Sequence, residues 1–122
     1  MVSKFVVHQH KTGRLHFDLR LVQDEFLRCW SLTKEPPFRR GERRLAIERE
    51  TFEAKALTAT LFNEEAFGEG RVRTWDSGEV EIASASATEI SLVFKGGKLS
   101  GKYLLRSMRW YPGNRWLLEK TA

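Results

Sequence analysis

The sequence predicts a mainly β protein, folded as a small closed or nearly closed β-barrel of about eight strands. Short segments of alternating apolar and polar residues recur at even spacing, and turn residues separate them. No stretch carries the periodicity of a convincing helix of three turns. Many short strands without helices are typical of a barrel.

The strands can be placed from their alternation and from the turn residues between them. Thr12-Gly13 is a plausible turn because glycine tolerates positive φ, and Gly96-Gly97 is a strong hairpin signal. Ser77-Gly78 also predicts a turn between two strands. The pattern from Thr51 to Asn63 is too weak to assign to a strand or a helix. The predicted strands are Phe5–His10, Leu15–Val22, Phe26–Leu32, Leu45–Glu50, Arg71–Asp76, Glu79–Ala83, Ser91–Lys95, Lys98–Arg106 and Trp116–Lys120.

Alternation within these strands predicts which side chains form the core. In the second strand, apolar residues occupy one face, and His16, Asp18 and Arg20 occupy the other. We therefore expect one face of the barrel wall to pack and the opposite face to carry a functional site. The residues expected to face the core are Leu15, Phe17, Leu19, Ile47, Val72 and Leu104.

Length, charge and cysteine content narrow the class of protein. The chain has 122 residues, so we expect a single domain over residues 1–122 and a monomer. A net charge of +5, with arginines clustered around residues 39–44 and 71–73, favours a nucleic-acid partner. No apolar run is long enough to span a membrane, and the single cysteine, Cys29, excludes an intrachain disulfide. These features predict a cytoplasmic location.

Two histidines and an aspartate near the start of the chain form the best candidate site. His10 ends the first strand, and a turn at Thr12-Gly13 would bring it beside His16 and Asp18. Imidazole nitrogens and a carboxylate suit a divalent ion such as Mn²⁺, Fe²⁺, Co²⁺ or Zn²⁺, and three protein ligands leave coordination positions open. The spacing therefore predicts a catalytic metal site.

Arg20 follows Asp18 on the same face of the strand, roughly 6–7 Å along it. A guanidinium there could hold one phosphate oxygen while a metal ion polarises another, which indicates phosphoryl chemistry. The alternative is that the two histidines are unrelated, half-exposed strand residues and that Asp18 and Arg20 form a surface ion pair of little energetic value.

A wider set of residues resembles a known family over essentially the whole chain. The set comprises His10-x₅-His16-x-Asp18-x-Arg20-Leu, Trp30-Ser-Leu-Thr-Lys34, Arg44-Leu-Ala, Trp75-Asp-x-Gly78, Lys98-Leu-x-Gly101 and Trp116-Leu-Leu-x-Lys120. It is similar to the 3′-phosphoesterase domain of bacterial DNA ligase D and its stand-alone relatives, whose fold is a small β-barrel.

The resemblance implies a site and an activity. It implies that His10, His16 and Asp18 bind Mn²⁺. It also implies that Arg20, Lys34 and Arg44 form a phosphate pocket. Domains of this family remove a terminal ribonucleoside and then a 3′-phosphate from a DNA primer strand, which leaves a 3′-OH. The implied partners are DNA 3′ ends, with a DNA ligase or repair polymerase.

Two departures from the family pattern put this activity in question. Phe52 and Ala56 stand where the family has a histidine and a tyrosine, and the chain begins at the first strand, without an arm that the phosphodiesterase step needs. The alternative function is therefore a catalytically weak module that binds DNA ends and recruits a repair polymerase or ligase.

Overall fold

The computed structural model describes residues 1–11, 13–53, 71–108 and 114–122. The regular secondary structure in these ranges consists of β-strands alone. The strands are β1 (Val2–Lys11), β2 (Leu15–Gln23), β3 (Phe26–Leu32), β4 (Arg43–Glu48), β5 (Phe52–Glu53), β6 (Arg71–Ala85), β7 (Glu89–Gly96), β8 (Ser100–Ser107) and β9 (Arg115–Lys120). Within the described ranges, no helix has the length and hydrophobicity to cross a membrane.

Eight of these strands close into an antiparallel barrel. Going around the barrel, the order is β2, β1, β6, β7, β8, β9, β4 and β3, and pairing of β3 with β2 completes the ring. The two-residue strand β5 pairs with β3 beyond the end of β4. The predicted barrel is therefore confirmed, and β3 has the predicted bounds.

The interior of the barrel is apolar and aromatic. Phe17 and Leu19 are buried there as predicted, and Trp30 packs edge-on against Trp116 with ring centroids 5.7 Å apart. A second, smaller apolar cluster lies outside the barrel wall and contains Val6, Leu27 and Cys29. The strands β1, β2 and β3 thus carry buried apolar residues on both faces. Polar side chains on their outer face can therefore also be buried.

Four of the predicted core residues are placed differently. Leu15 is 43% exposed because it is the first residue of β2, at the open end of the barrel. Val72, near the first residue of β6, is only half-buried. In β4 the core residue is Ala46 rather than Ile47, and in β8 Tyr103 and Leu105 are buried while Leu104 is half-buried. Both strands have apolar residues on both faces, so alternation did not identify the inner face.

The predicted turn at Ser77-Gly78 is also wrong, because β6 runs without interruption through both residues. Gly78 is paired on both sides, with Phe5 of β1 and Gly96 of β7. A Cβ at residue 78 would lie 2.5 Å from the Lys95 carbonyl oxygen, so glycine permits a close approach of strands here rather than a reversal. The hairpin predicted at Gly96-Gly97 is confirmed between β7 and β8.

One end of the barrel is formed by the β1–β2 hairpin, the segment between β3 and β4, and the β7–β8 hairpin. The β3–β4 segment is attached to the barrel, since the Tyr103 hydroxyl donates a hydrogen bond to the Pro37 carbonyl. Within it, the Arg39 backbone N–H donates to the Glu42 carboxylate, and this bond is the main reason that the pKa of Glu42 is lowered. This end carries the candidate site.

Candidate metal centre

The β1–β2 hairpin brings the predicted ligands together. Its register places His10 directly opposite His16, and Gly13 makes the turn with a φ of 118°. His16 and Asp18 are two residues apart on β2, so their side chains leave the same face. This is the outer face of the barrel wall, because Phe17 between them belongs to the core. The predicted convergence is confirmed.

The imidazoles of His10 and His16 both approach the Asp18 carboxylate. His10 Nδ1 lies 3.5 Å from Asp18 Oδ2, and His16 Nε2 lies 3.3 Å from the same oxygen. The two imidazole rings have centroids 4.6 Å apart, and one ligand atom from each residue lies within 4.8 Å of the others. Asp18 is only 6% exposed and His10 only 8%, whereas His16 is half-buried, so two of the three side chains are shielded from solvent. The burial of Asp18 and Arg20 does not fit a surface ion pair, and the short distances do not fit unrelated histidines.

These positions fit a divalent cation. Two donors that each lie about 2.1 Å from one ion are separated by about 3.0–3.4 Å, close to the distances from the two imidazole nitrogens to Asp18. Two neutral imidazoles and a carboxylate are donors that Mn²⁺ and similar ions accept in proteins. Only three side chains converge here among the residues that the structure describes, which leaves room for further ligands.

Arg20 lies beside this group and is held by three acceptors. Its Nε donates to His8 Nδ1 at 3.0 Å, one terminal nitrogen donates to Cys29 Sγ at 3.1 Å, and the other lies 3.4 Å from Asp18 Oδ2. Arg20 is 6% exposed and His8 is fully buried. Since His8 Nδ1 accepts a hydrogen bond, this nitrogen carries no proton. Burial raises the pKa of the Cys29 thiol, which keeps it protonated beside Arg20.

Two further residues that sequence reasoning missed orient the carboxylate. Ser31 Oγ donates to Asp18 Oδ1 at 2.7 Å, and Arg49 Nε donates to Ser31 Oγ at 3.1 Å. The reason is the β2–β3 register, which pairs Asp18 with Ser31. The signal in the sequence was the predicted β2–β3 hairpin, but its register had to be known to place Ser31 there. Such contacts commonly fix the orientation of metal ligands.

The other predicted phosphate-pocket residues lie in or next to the β3–β4 segment. Lys34 is exposed and follows Ser31 by three residues. The Arg44 guanidinium donates to the carbonyls of Glu35 and Arg43 and to the Glu42 carboxylate, so its described contacts are with this segment rather than with the histidines. The roles of Lys34 and Arg44 remain predictions.

Of the two residues that replace the histidine and tyrosine of the family pattern, the structure places only one. Residue 52 begins β5, and its backbone pairs with Leu27 of β3. Residue 56, an alanine in this chain, lies outside the described residues.

The sequence profile of the DNA ligase D 3′-phosphoesterase domain matches residues 8–107. The multifunctional non-homologous end joining protein LigD of Mycolicibacterium smegmatis is 32% identical over 131 residues, which cover 97% of this chain and 17% of that protein. The LigD repair protein of Mycobacterium tuberculosis strain H37Rv is 30% identical over 123 residues, 97% of this chain and 16% of its own length. LigD of Pseudomonas aeruginosa is 28% identical over 125 residues, 97% of this chain and 15% of its own length.

The chain thus spans about a sixth of the length of these curated relatives. Within that span the match includes the hairpin with His10, His16 and Asp18 and the strands that surround it. Because the profile covers most of the sequence and a relative above 30% identity aligns with nearly all of it, the chain belongs to the DNA ligase D 3′-phosphoesterase domain family.

Proposed function

We propose that the protein is a metal-dependent phosphoesterase that heals DNA 3′ ends by removing a terminal ribonucleoside, a 3′-phosphate or both, leaving a 3′-OH. One observation carries the proposal: His10, His16 and Asp18 converge on the outer face of the barrel, with the Arg20 guanidinium held beside them. The relatives named for non-homologous end joining support DNA ends as the substrate and this repair process as the context.

In this proposal His10, His16 and Asp18 hold a divalent ion, with Mn²⁺ the first candidate. When bound, such an ion supplies Lewis acidity and a water molecule of lowered pKa. Ser31 keeps the Asp18 carboxylate oriented through Oδ1, so that Oδ2 faces the imidazoles. Arg49 in turn holds the Ser31 hydroxyl.

The cationic residues of the site would stabilise the phosphate. A phosphate held at the ligand group would lie beside the Arg20 guanidinium, which is fixed in place before substrate arrives and so costs little reorganisation. Lys34 and Arg44 would add positive charge from the β3–β4 segment as negative charge develops on the phosphate oxygens. Arg44 also holds the carbonyl of Glu35, next to Lys34.

The second candidate function is a catalytically weak module that binds DNA ends and recruits a repair polymerase or ligase. Phe52 and Ala56 favour it, because they replace two polar residues of the family pattern. The intact ligand group with its buried arginine favours catalysis, since a pure binding module has no need of a shielded metal site with an adjacent guanidinium.

A 3′-end processing assay separates the two. The purified protein is incubated with Mn²⁺ and a labelled primer–template that ends in a ribonucleotide or in a 3′-phosphate, with His16→Ala as the matched control. Conversion to a 3′-OH end by the wild type, but not by His16→Ala, supports the phosphoesterase. If the protein binds DNA ends in a salt-sensitive way but hydrolyses neither end with any divalent metal, it is the binding module instead.

If the protein only binds, a double substitution tests the reason. Phe52→His with Ala56→Tyr restores the family residues and should then raise activity. No gain in activity would mean that these two positions do not contribute to phosphate binding in this protein.

A further inference from the structure

We infer that the open end of the barrel carries a second anion site, which binds a backbone phosphate of the nucleic acid whose 3′ end lies at the metal centre. The inference rests on the proposed function, because it concerns the same substrate. It depends on a separate group of residues on the opposite, inner face of the β1–β2 hairpin.

The site is a pocket of about 150 Å³ lined by Gln9, Lys11, Leu15 and Arg73. Strand pairing places Gln9 opposite Arg73 and Lys11 opposite Leu15. A single water molecule needs only about 10–15 Å³, so the pocket has room for a phosphate group. Two cationic side chains and an amide are suitable donors for phosphate oxygens.

Aromatic residues separate this pocket from the barrel interior. Phe17, which pairs with Gln9, packs edge-on against Trp75, with ring centroids 5.9 Å apart. Lys98 Nζ lies 4.7 Å from the centre of the Trp75 ring. The aromatic pair that backs the pocket therefore has a third cation lying against it.

The cations at this opening, Lys11, Arg73 and Lys98, form no ion pair with a carboxylate of the described residues. By contrast, other arginines of the barrel have carboxylate partners, such as Arg28 with Glu48 at 2.8 Å. Like charges gathered around a pocket repel one another, and a bound polyanion removes that repulsion.

The pocket and the metal centre are on the two faces of one hairpin. His10 lies between Gln9 and Lys11 in β1, and His16 follows Leu15 in β2. The hairpin tip between them leaves open space around Gly13 and exposes Arg14. A strand with its terminal phosphate at the metal centre could therefore cross the tip and place an upstream phosphate in the pocket. This continuity favours a nucleic-acid backbone over an isolated anion.

Binding of DNA without metal tests the inference independently of catalysis. The probe is a fluorescent single strand of about twelve nucleotides with a 3′-phosphate, titrated in EDTA at several salt concentrations. The Lys11→Ala/Arg73→Ala double variant is compared with Lys102→Ala/Arg106→Ala, which removes the same charges from exposed positions of β8, three strands around the barrel. Circular dichroism checks that both fold.

We expect the control pair to change binding little, whereas the pocket pair weakens it about tenfold and lowers the slope of log affinity against log salt by about 1. Equal affinity and slope for the two pairs would overturn the inference. The inference would also be overturned if the pocket variant bound the oligonucleotide as tightly as wild type and inorganic phosphate displaced the oligonucleotide equally well from both proteins. If the double variant does not fold, Lys11→Gln and Arg73→Gln are measured singly, and each should lower the slope.

Substrate length gives a second readout where the protein is active. Thymidine 3′-phosphate reaches only the metal centre, so its turnover should be the same in wild type and pocket variant. For the oligonucleotide, KM should rise about tenfold with kcat unchanged. An equal loss on both substrates would show that Lys11 and Arg73 act at the metal centre rather than at a second site. If the wild type hydrolyses neither substrate, the proposed reaction fails, while the metal-free binding experiment still decides the phosphate site.

Discussion

Asp18 is the residue on which the site depends most. Its Oδ2 faces both imidazoles and the Arg20 guanidinium, while its Oδ1 accepts the Ser31 hydroxyl. An exposed Asp–Arg pair would contribute little, but both side chains here are 8% exposed. Removing one partner from a buried pair leaves an uncompensated charge, and this commonly costs about 3–5 kcal/mol. The negative charge of Asp18 and the positive charge of Arg20 therefore stabilise each other, and a bound cation would add to the stabilisation of the carboxylate.

The roles of Arg20 and His16 can be separated by their effects on metal binding. Arg20→Ala removes the cation proposed to contact phosphate and none of the proposed metal ligands, so we expect turnover to fall at least about 10²-fold while Mn²⁺ affinity stays nearly unchanged. His16→Ala removes a ligand and should weaken Mn²⁺ binding more than about 100-fold as well. Isothermal titration calorimetry measures the Mn²⁺ affinity, and the end-processing assay measures turnover. Equal losses of Mn²⁺ affinity in the two variants would contradict the assignment.

His8 positions Arg20 through its Nδ1 atom. His8→Asn keeps an oxygen acceptor close to the Nδ1 position and should retain most of the activity. His8→Leu removes one of the three acceptors that hold the guanidinium and should lower kcat about 10²-fold, with KM and Mn²⁺ affinity little changed. The comparison requires that both variants have similar melting temperatures. Equal activity of the two variants would mean that the bond from Arg20 does not matter for the reaction.

At the scale of elements, one buried carboxylate joins β6 to the β7–β8 hairpin. Asp76 accepts backbone hydrogen bonds from Gly97, Lys98 and Leu99 at 2.9, 2.9 and 2.7 Å. A Cβ on Gly96 would collide with this carboxylate and with the Phe5 ring, so only glycine fits there. The Trp75-Asp76 segment and the 96–99 segment are thus joined by these hydrogen bonds into one connection between β6 and the β7–β8 hairpin, called the Asp76 joint below.

The Asp76 joint predicts a loss of stability on substitution. Asp76→Ala leaves three backbone N–H groups without their acceptor, and the Leu99 N–H is buried, so we expect unfolding to become easier by about 2–4 kcal/mol. Asp76→Asn keeps one acceptor oxygen and should lose about half as much. Urea denaturation measures both, with Glu79→Ala, an exposed residue of the same strand, as the control expected within about 0.5 kcal/mol of wild type. A wild-type midpoint for Asp76→Ala would show that water replaces the carboxylate without cost.

Most strand positions and the clustering of His10, His16 and Asp18 could be predicted, but the contacts between strands could not. β2 and the Gly96-Gly97 hairpin have clear alternation or turn signals, and His10 and His16 are joined by one short turn. Ser31 and Arg49 reach Asp18 only through pairing of β2 with β3 and β3 with β4, which alternation does not specify. The inner faces of β4 and β8 were wrong for a related reason, since both faces of these strands carry apolar residues.

At the scale of the whole molecule, the barrel uses both faces of its wall. The inner face packs the core, while the outer face of β1, β2 and β3 buries the ligand group and Arg20 next to a second apolar cluster. Closure of the ring fixes the strands that carry these side chains relative to one another. The segment between β3 and β4, which carries Lys34, is tied across the barrel to β8 by Tyr103. The stability of the barrel and the placement of the cationic segment are therefore linked.

This link should be visible in the pH dependence of stability. Desolvation raises the pKa of Tyr103 to about 12, with the charges of Glu42 and Asp76 adding to the shift, whereas an unfolded tyrosine titrates near 10.0. The folded state thus holds the phenol proton more tightly, and its stabilising effect is complete below pH 10 and is lost as pH rises from about 10 towards 12. Tyr103→Phe removes both the titration and the hydrogen bond to Pro37, which contributes about 1 kcal/mol.

We therefore expect wild type to be more stable than Tyr103→Phe by about 1 kcal/mol at about pH 8, and this advantage to shrink steadily above about pH 10. Urea denaturation of both proteins at matched pH values measures the difference, and groups that titrate equally in the two proteins cancel from it. A difference that stays constant up to about pH 11.5 would mean that the Tyr103 phenol is not desolvated in the folded protein. A difference that widens with pH would mean that its folded pKa is lowered rather than raised, and hence that Pro37 and the segment around it do not shield the hydroxyl as the structure shows.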